Sequence, residues 1–252
     1  MRKSALAIMA VVVLSALSIP YATHAATRLC GQFDNTRVSA GRYIVQNNEW
    51  NDSIRQCLDV TDDGFTVVSG YHTVPANGAP SGYPSIFAGC HYGNCSAHSG
   101  LPLRVDRFRD PRTTVTFTTA PGTYDASYDL WFDTKQHPTG QNNGAELMIW
   151  ADHAGPPRPV GHRIGTLNTA GAGWQVWAGR STNNGIGWNV VSYVRQRPTT
   201  ALALHLKDFT RDSVARGRLS PTWFLTSVQF GFEPWQGGPC LAVRSFSFDA
   251  NG

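Results

Sequence analysis

The alternation of side chains over residues 144–150 (GAELMIW) limits the fold of this chain more than any other feature. In a β-strand, successive side chains point to opposite faces of the sheet. Glu146 would therefore share a face with Met148 and Trp150, while the intervening leucine and isoleucine line the other face. Because an apolar face belongs against a core, this stretch predicts a strand whose second face presents a carboxylate to a ligand.

Two further stretches, 227–238 (SVQFGFEPWQGG) and 127–133 (SYDLWFD), have the same construction. In the first, three apolar side chains alternate with a face that includes Glu233. In the second, Asp129 and Trp131 share the face opposite three large apolar side chains. Carboxylates beside a tryptophan are unusual in a packed core, so the three stretches together predict a cleft with paired carboxylates.

The rest of the chain favours many strands joined by turns, because it is rich in Gly, Thr, Ser and Asn, and only 15% of its residues are charged. We expect an all-β fold. Residues 204–219 alone have a helical pattern, which Ser220 and Pro221 end, and a lone helix would cover the outside of one sheet. We expect a disulfide-pinned loop at 85–96. The further predicted strands are 42–51, 64–74, 103–110, 113–119, 173–179, 187–195, 223–233 and 241–249.

The N-terminus has the pattern of a secretory signal peptide: two basic residues, an apolar run over 5–19 and small residues at positions 23 and 25. We therefore predict a signal peptide over 1–25 and one domain over 26–252, secreted and free of the membrane after cleavage. The whole chain has a net charge of +4, and cleavage leaves +2. So small and dispersed a charge argues against a nucleic-acid partner.

Five cysteines in an exported chain predict disulfides, with one cysteine left over. Cys90 and Cys95 bracket a tight turn and are natural partners, and a bond between Cys30 and Cys57 would tie the first strand to the next. Cys240 remains, as a buried thiol. A zinc site built on the cysteines and histidines near position 90 is disfavoured, because their spacing matches no common pattern. We expect no metal.

Two carboxyl groups that face each other can hydrolyse a glycosidic bond, since one can protonate the leaving oxygen while the other attacks the anomeric carbon or activates water. A single glutamate is more often a surface charge or half of an ion pair. Asn48 and Trp50 could orient and stack on a sugar ring, although a lone tryptophan is equally often a residue of the hydrophobic core. From the residues alone, carbohydrate hydrolysis and carbohydrate binding both remain open.

The segments ELMIW and GFEPWQ resemble the two catalytic segments of glycoside hydrolase family 12. NNEWN at 47–51, YPSIFAGCHYGNCS at 83–96 and SYDLWFD at 127–133 agree with that family in the same order. The resemblance implies a jelly-roll β-sandwich of two curved antiparallel sheets, with one helix on the outer face. It also implies retaining endo-hydrolysis of β-1,4-glucan by a catalytic domain without metal or cofactor.

The resemblance also implies roles for individual residues. Glu146 would be the nucleophile and Glu233 the acid/base, while Asp129 would lie beside the nucleophile and share a hydrogen bond that tunes it. The implied substrate-binding residues are Asn48, Trp50, Tyr92, Met148 and Asn189.

The leading hypothesis is a secreted, monomeric endo-β-1,4-glucanase that acts on cellulose-like chains. A xyloglucan-specific enzyme of the same fold is the nearest rival, because rim loops read the side-chain branches of a glucan. A non-catalytic sugar-binding β-sandwich is a third interpretation. The carboxyl groups of Glu146, Glu233 and Asp129 argue against it, since a binding module does not need facing acids.

Overall fold

The structure, a computed structural model, describes residues 27–251, so the predicted signal peptide at 1–25 lies outside it. The described range contains eighteen β-strands, two short 3₁₀ helices and one α-helix. The strands are β1 Thr27–Leu29, β2 Asn35–Val38, β3 Tyr43–Gln46, β4 Cys57–Val60, β5 Phe65–Ser69, β6 His72–Thr73, β7 Ser85–His91, β8 Asn94–Cys95, β9 Leu103–Arg104, β10 Arg112–Thr118, β11 Gly122–Asp133, β12 Ala145–Ala154, β13 His162–Thr169, β14 Ala172–Asn183, β15 Ile186–Arg195, β16 Ala201–His205, β17 Phe224–Gly237 and β18 Ala242–Asp249. The 3₁₀ helices are Ser39–Gly41 and Val105–Arg107, and the α-helix, α1, is Leu206–Ala215.

The strands form two sheets. The smaller has six strands in the order β1-β4-β5-β18-β10-β16. The larger has twelve, nine of them in the order β13-β14-β15-β12-β11-β17-β7-β3-β2, with three short strands paired at its margins. Neighbouring strands are antiparallel except for β12 and β15, which are parallel. The two sheets are therefore antiparallel, as predicted, apart from this one pair.

The core lies between the sheets and is built by the alternation seen in the sequence. On β12, β11 and β17 the core face carries the apolar side chains, while the opposite face carries carboxyl groups and tryptophans. The inward-facing residues of these strands are Leu147, Ile149, Tyr128, Leu130, Phe132, Val228, Phe230 and Phe232. The predicted two-faced strands are therefore confirmed.

Helix α1 covers β14 and β15 on their core face. The ring of Phe209 packs edge-on against Trp174 and Tyr193, with centroids 5.3 and 5.0 Å away. The helix is shorter than predicted. Residues 201–205 alternate strictly between exposed and buried side chains, and they pair with β10 as β16 before the helix begins.

Other boundaries differ from the prediction because pairing partners decide them. Residues 85–91 are not loop but a buried strand, β7, with β3 on one side and β17 on the other, so only Tyr92 and Gly93 form the turn. Strand β3 ends at Gln46, five residues early, and Asn48 just after it takes a positive φ of 45°. Strand β13 was not predicted, because this half-exposed strand has no apolar alternation.

Both predicted disulfides are present. Cys30 bonds to Cys57, which joins the end of β1 to its neighbour β4, and Cys90 bonds to Cys95 across the turn after β7. The prediction that Cys240 is a buried thiol is wrong, because its side chain is exposed. It lies in the turn between β17 and β18 with a φ of 74°, and its backbone N–H donates to the carbonyl of Val67.

Within residues 27–251, no helix is long and apolar enough to cross a membrane.

Candidate active site

Four acidic side chains lie on the face of the larger sheet that points away from the core. They form the carboxylate cluster, which is Asp125, Asp129, Glu146 and Glu233. The central strand β11 supplies both aspartates and has β12 and β17 on its two sides. In the strand register, Glu146 lies opposite Trp131, and Glu233 lies opposite Asp125. The sheet thus brings together the two glutamates that the sequence selected.

The backbone around Glu233 is held in place by a close approach of two strands. Gly231 lies beside Ser85 of β7, and a Cβ added to this glycine would lie 2.2 Å from the carbonyl oxygen of Pro84. That carbonyl accepts a hydrogen bond from the N–H of Phe232. Only glycine permits this contact, which holds the backbone two residues before Glu233 close to β7.

Glu146 is half-buried, and its carboxylate accepts a hydrogen bond from the indole N–H of Trp188 on β15. The distance between Trp188 Nε1 and Glu146 Oε2 is 2.7 Å. Burial, together with the charge of Glu233, raises the pKa of Glu146 to about 7, although the indole donor opposes this rise. The donor thus favours the ionised form of this carboxyl group.

Glu233 is also half-buried, but its hydrogen-bonding environment has the opposite effect. Burial raises its pKa well above the ordinary range, and the charge of Asp125 and a hydrogen bond to Asp125 raise it further. A hydrogen bond between two carboxyl groups requires that one of them carry a proton. The surroundings of Glu233 therefore favour its protonated form.

Asp129 lies between the two glutamates, but it does not make the hydrogen bond to Glu146 that the resemblance implied. Its Oδ2 accepts a hydrogen bond from Trp131 Nε1 at 2.7 Å, and its Oδ1 has no partner within residues 27–251. Burial first, and then the charges of Glu146 and Glu233, raise its pKa well above the ordinary range. The charge of Glu146 therefore raises the pKa of Asp129 without a hydrogen bond between the two groups.

Aromatic and aliphatic side chains border the carboxylate cluster on the same face. Trp131 and Trp188 pack with ring centroids 5.6 Å apart, and Met148 lies opposite Asp129 in the strand register. The members of this apolar patch are Trp131, Met148, Trp150, Trp188, Val190 and Val194, with Trp177 packed against them. Rings beside carboxyl groups can pack against the faces of a sugar.

Asn48 and Trp50 lie in the loop after β3. Asn48 donates to the carbonyl of Tyr83, and the hydroxyl of Tyr83 donates to the carbonyl of Ser127 on β11. This bond places the tyrosine beside the cluster. Its burial first, and then the charges of the four acidic groups, raise the pKa of Tyr83. Trp50 is 44% exposed, so it is not the core residue that a lone tryptophan can be.

Tyr92 and Asn189 lie in different surroundings. Tyr92 is 51% exposed in the turn after β7, and its hydroxyl donates to Gln141 and accepts a weak hydrogen bond from Asn183. Asn189 points to the face opposite the carboxylate cluster, where it donates to the carbonyl of Arg218. Because neighbouring strand residues alternate, Trp188 takes the position in the site that was expected of Asn189.

Three site residues were missed from the sequence: Trp188, Tyr83 and Asp125. Asp125 had a signal, because it stands four residues before Asp129 and six before Trp131 and so shares their face. Trp188 and Tyr83 reach the cluster only through pairing between strands distant in sequence, which alternation does not specify. Within the described range, no group of three or more His, Cys, Asp or Glu side chains could hold a metal ion.

The site combines paired carboxyl groups with tryptophans on the open face of a β-sandwich. These are the groups that hydrolysis of a glycosidic bond requires. Comparison with known proteins agrees. The family model described as Glycosyl hydrolase family 12 matches residues 41–251, and the chain belongs to this family. It is a glycoside hydrolase, and the predicted family and jelly-roll fold class are confirmed.

Individual relatives cover nearly the whole chain. Endoglucanase S of Pectobacterium parmentieri is 28% identical over 247 residues, 94% of this chain and 92% of that protein. The xyloglucan-specific endo-beta-1,4-glucanase A of Emericella nidulans is 30% identical over 247 residues, 93% of this chain and 98% of that protein. Among solved structures, endoglucanase cel12A from Rhodothermus marinus has a TM-score of 0.82 and 40% identity, covering 88% of this chain and 97% of that chain.

Proposed function

We propose that this protein is an endo-β-1,4-glucanase that cleaves internal bonds of glucan chains with retention of configuration. The observation that carries the proposal is the contrast between the two glutamates. An indole donor favours the ionised form of Glu146, whereas a neighbouring carboxyl group favours the protonated form of Glu233. Two carboxyl groups whose environments set their pKa values apart are the requirement for a nucleophile and an acid.

In the first step, the ionised carboxylate of Glu146 attacks the anomeric carbon, and Glu233 gives its proton to the leaving glycosidic oxygen. A glucosyl ester on Glu146 results. In the second step, Glu233, now ionised, takes a proton from water as the water attacks the anomeric carbon. The ester bond to Glu146 breaks, and both glutamates return to their starting states.

The chemistry of the sheet face suits a glucan chain. Trp50 and the apolar patch offer surfaces for pyranose faces, and Asn48 lies near the cluster as a polar group for hydroxyls. We propose cellulose-like chains as the preferred substrate. The endoglucanase of known structure at 40% identity supports this choice, and the xyloglucan-specific relative at 30% identity makes branched xyloglucan the second candidate.

A reducing-sugar assay on four soluble polymers tests the function. We expect activity on carboxymethylcellulose and mixed-linkage glucan, less on xyloglucan and none on xylan. Glu146→Gln should abolish this activity while the melting temperature stays near that of the parent, because the amide keeps the shape but cannot attack. Parent-level turnover by this variant would reject the assignment.

Retention has its own test, because inversion and retention release opposite anomers. When the reaction is followed by proton NMR, the first product of a retaining enzyme is the β-anomer. An initial α-product would show that Glu146 activates water instead of attacking the sugar.

We also propose that the protein is exported after removal of residues 1–25. Two disulfides support this proposal, since such bonds persist in oxidising compartments. The N-terminal sequence of protein recovered from the culture medium should begin at or next to Ala26. Full-length protein confined to the cells would contradict export.

A further inference from the structure

Asp125 is an acidic residue of the cluster to which the proposed reaction gives no role. It lies on β11 directly opposite Glu233 of β17 and is fully buried. The hydroxyl of Ser127 donates to its Oδ1 at 2.7 Å. Its Oδ2 has no donor from any residue in the range 27–251.

A buried carboxyl oxygen without a donor is costly, so its position calls for a partner. Glu233 is the cross-strand neighbour of Asp125, and a protonated carboxyl group at that position can donate to the Asp125 oxygen that lacks a partner. Ser127 favours the same arrangement, because its hydroxyl stabilises the ionised form of Asp125.

We propose that Asp125 is a positioning residue that accepts a hydrogen bond from the protonated carboxyl of Glu233 and so keeps the proton on that glutamate until the glycosidic bond breaks. The catalytic meaning of this pairing rests on the function proposed above. Asp125 need not touch the substrate, and the proton transferred to the leaving group is the one on Glu233. Once Glu233 has lost that proton, repulsion between the carboxylates of Asp125 and Glu233 favours the transfer of a new proton from water to Glu233.

Other groups surround the pair, and they leave this assignment intact. Asp129 follows on the same strand, Glu146 lies on β12, and their charges raise the pKa of Asp125 to a lesser extent than its burial does. Tyr83 lies beside all four acidic groups, with its hydroxyl bonded to a backbone carbonyl. His153 lies opposite Asp125 on β12, but it is exposed.

Carbon-13 NMR titration of the side-chain carboxyl groups in the substrate-free protein tests the pairing. The signal of Glu233, assigned by its loss in Glu233→Gln, should titrate roughly one pH unit lower or more in Asp125→Asn than in the parent. Asp63→Asn removes the same charge from the exposed turn between β4 and β5 and should leave the signal unchanged. An unchanged Glu233 titration in Asp125→Asn would overturn the proposal.

The parent protein gives a second reading that does not depend on folding of the variant. A shared proton couples the two groups, so both carboxyl signals should respond in each of two titration steps. Independent single-step curves would overturn the pairing. Because neither reading requires turnover, a protein that shows the pairing but hydrolyses no glucan would contradict the proposed function alone.

Discussion

Trp188→Phe removes one hydrogen bond from the site and keeps most of the ring. In the parent, the indole N–H lies 2.7 Å from Glu146 Oε2 and stabilises the ionised carboxylate. Without it, the pKa of Glu146 rises, since nothing replaces the interaction that favoured the charged form. A protonated Glu146 cannot attack the sugar, so the acid limb of the pH profile moves to higher pH.

The size of this effect follows from the strength of the bond. A hydrogen bond to a charged group contributes about 1.5–3 kcal/mol, and a change of one pKa unit corresponds to about 1.4 kcal/mol. Because Glu146 is half-buried, water replaces part of the lost interaction. We therefore expect a rise of about one pH unit, at the lower end of that range. At a pH below the acid limbs of both the parent and the variant, kcat/KM of the variant is then about tenfold lower than that of the parent.

The assay is the pH dependence of kcat/KM on a soluble chromogenic cello-oligosaccharide, which reports the free enzyme. Trp177→Phe is the matched control, because Trp177 packs against the same apolar patch but donates to Gln175 and not to a carboxyl group of the cluster. Its acid limb should coincide with that of the parent. If Trp188→Phe lowers activity equally at every pH, the donor does not tune Glu146.

Three further changes test separate parts of the molecule. Gly231→Ala forces a methyl group against the carbonyl of Pro84 and should cost about 1–3 kcal/mol of unfolding free energy; a denaturant midpoint equal to that of the parent would refute the close approach. Replacing both Cys30 and Cys57 by Ser opens a disulfide across 27 positions and should cost about 3.5 kcal/mol of unfolding free energy; a denaturant midpoint equal to that of the parent would contradict this cost. Trp50→Ala should raise KM for polymeric glucan about fivefold through the loss of about 1 kcal/mol of stacking, and an unchanged KM would remove this residue from the binding surface.

Alternation accounts for what could be predicted from the sequence. It separated the core faces of β11, β12 and β17 from the faces with carboxyl groups, because a strand leaves only two directions for a side chain. The pairing of Cys90 with Cys95 could likewise be predicted, because a tight turn brings these two neighbours in sequence together. The resemblance to the family then added roles for Glu146 and Glu233, which alternation leaves undecided and which remain proposals.

What could not be predicted depends on strands that meet from distant parts of the chain. The donor to Glu146 comes from β15 through a parallel pairing, so Trp188 was missed while its neighbour Asn189 was selected. Asp129 was expected to bond to Glu146, yet the nearby indole of Trp131 is its donor. Cys240 was expected to be buried, but a turn with positive φ leaves it exposed, and no pattern of apolar residues specifies such a turn.

The central claim is that Glu146 becomes covalently bound to the sugar, and mass spectrometry after incubation with an activated 2-deoxy-2-fluoro-cellobioside tests it most directly. The fluorine slows the second step, so a retaining enzyme accumulates the glycosyl ester. We expect one cellobiosyl adduct per protein, located by peptide mapping on the segment that contains Glu146. An unlabelled protein that turns over the non-fluorinated cellobioside, or a label on Glu233, would contradict the account.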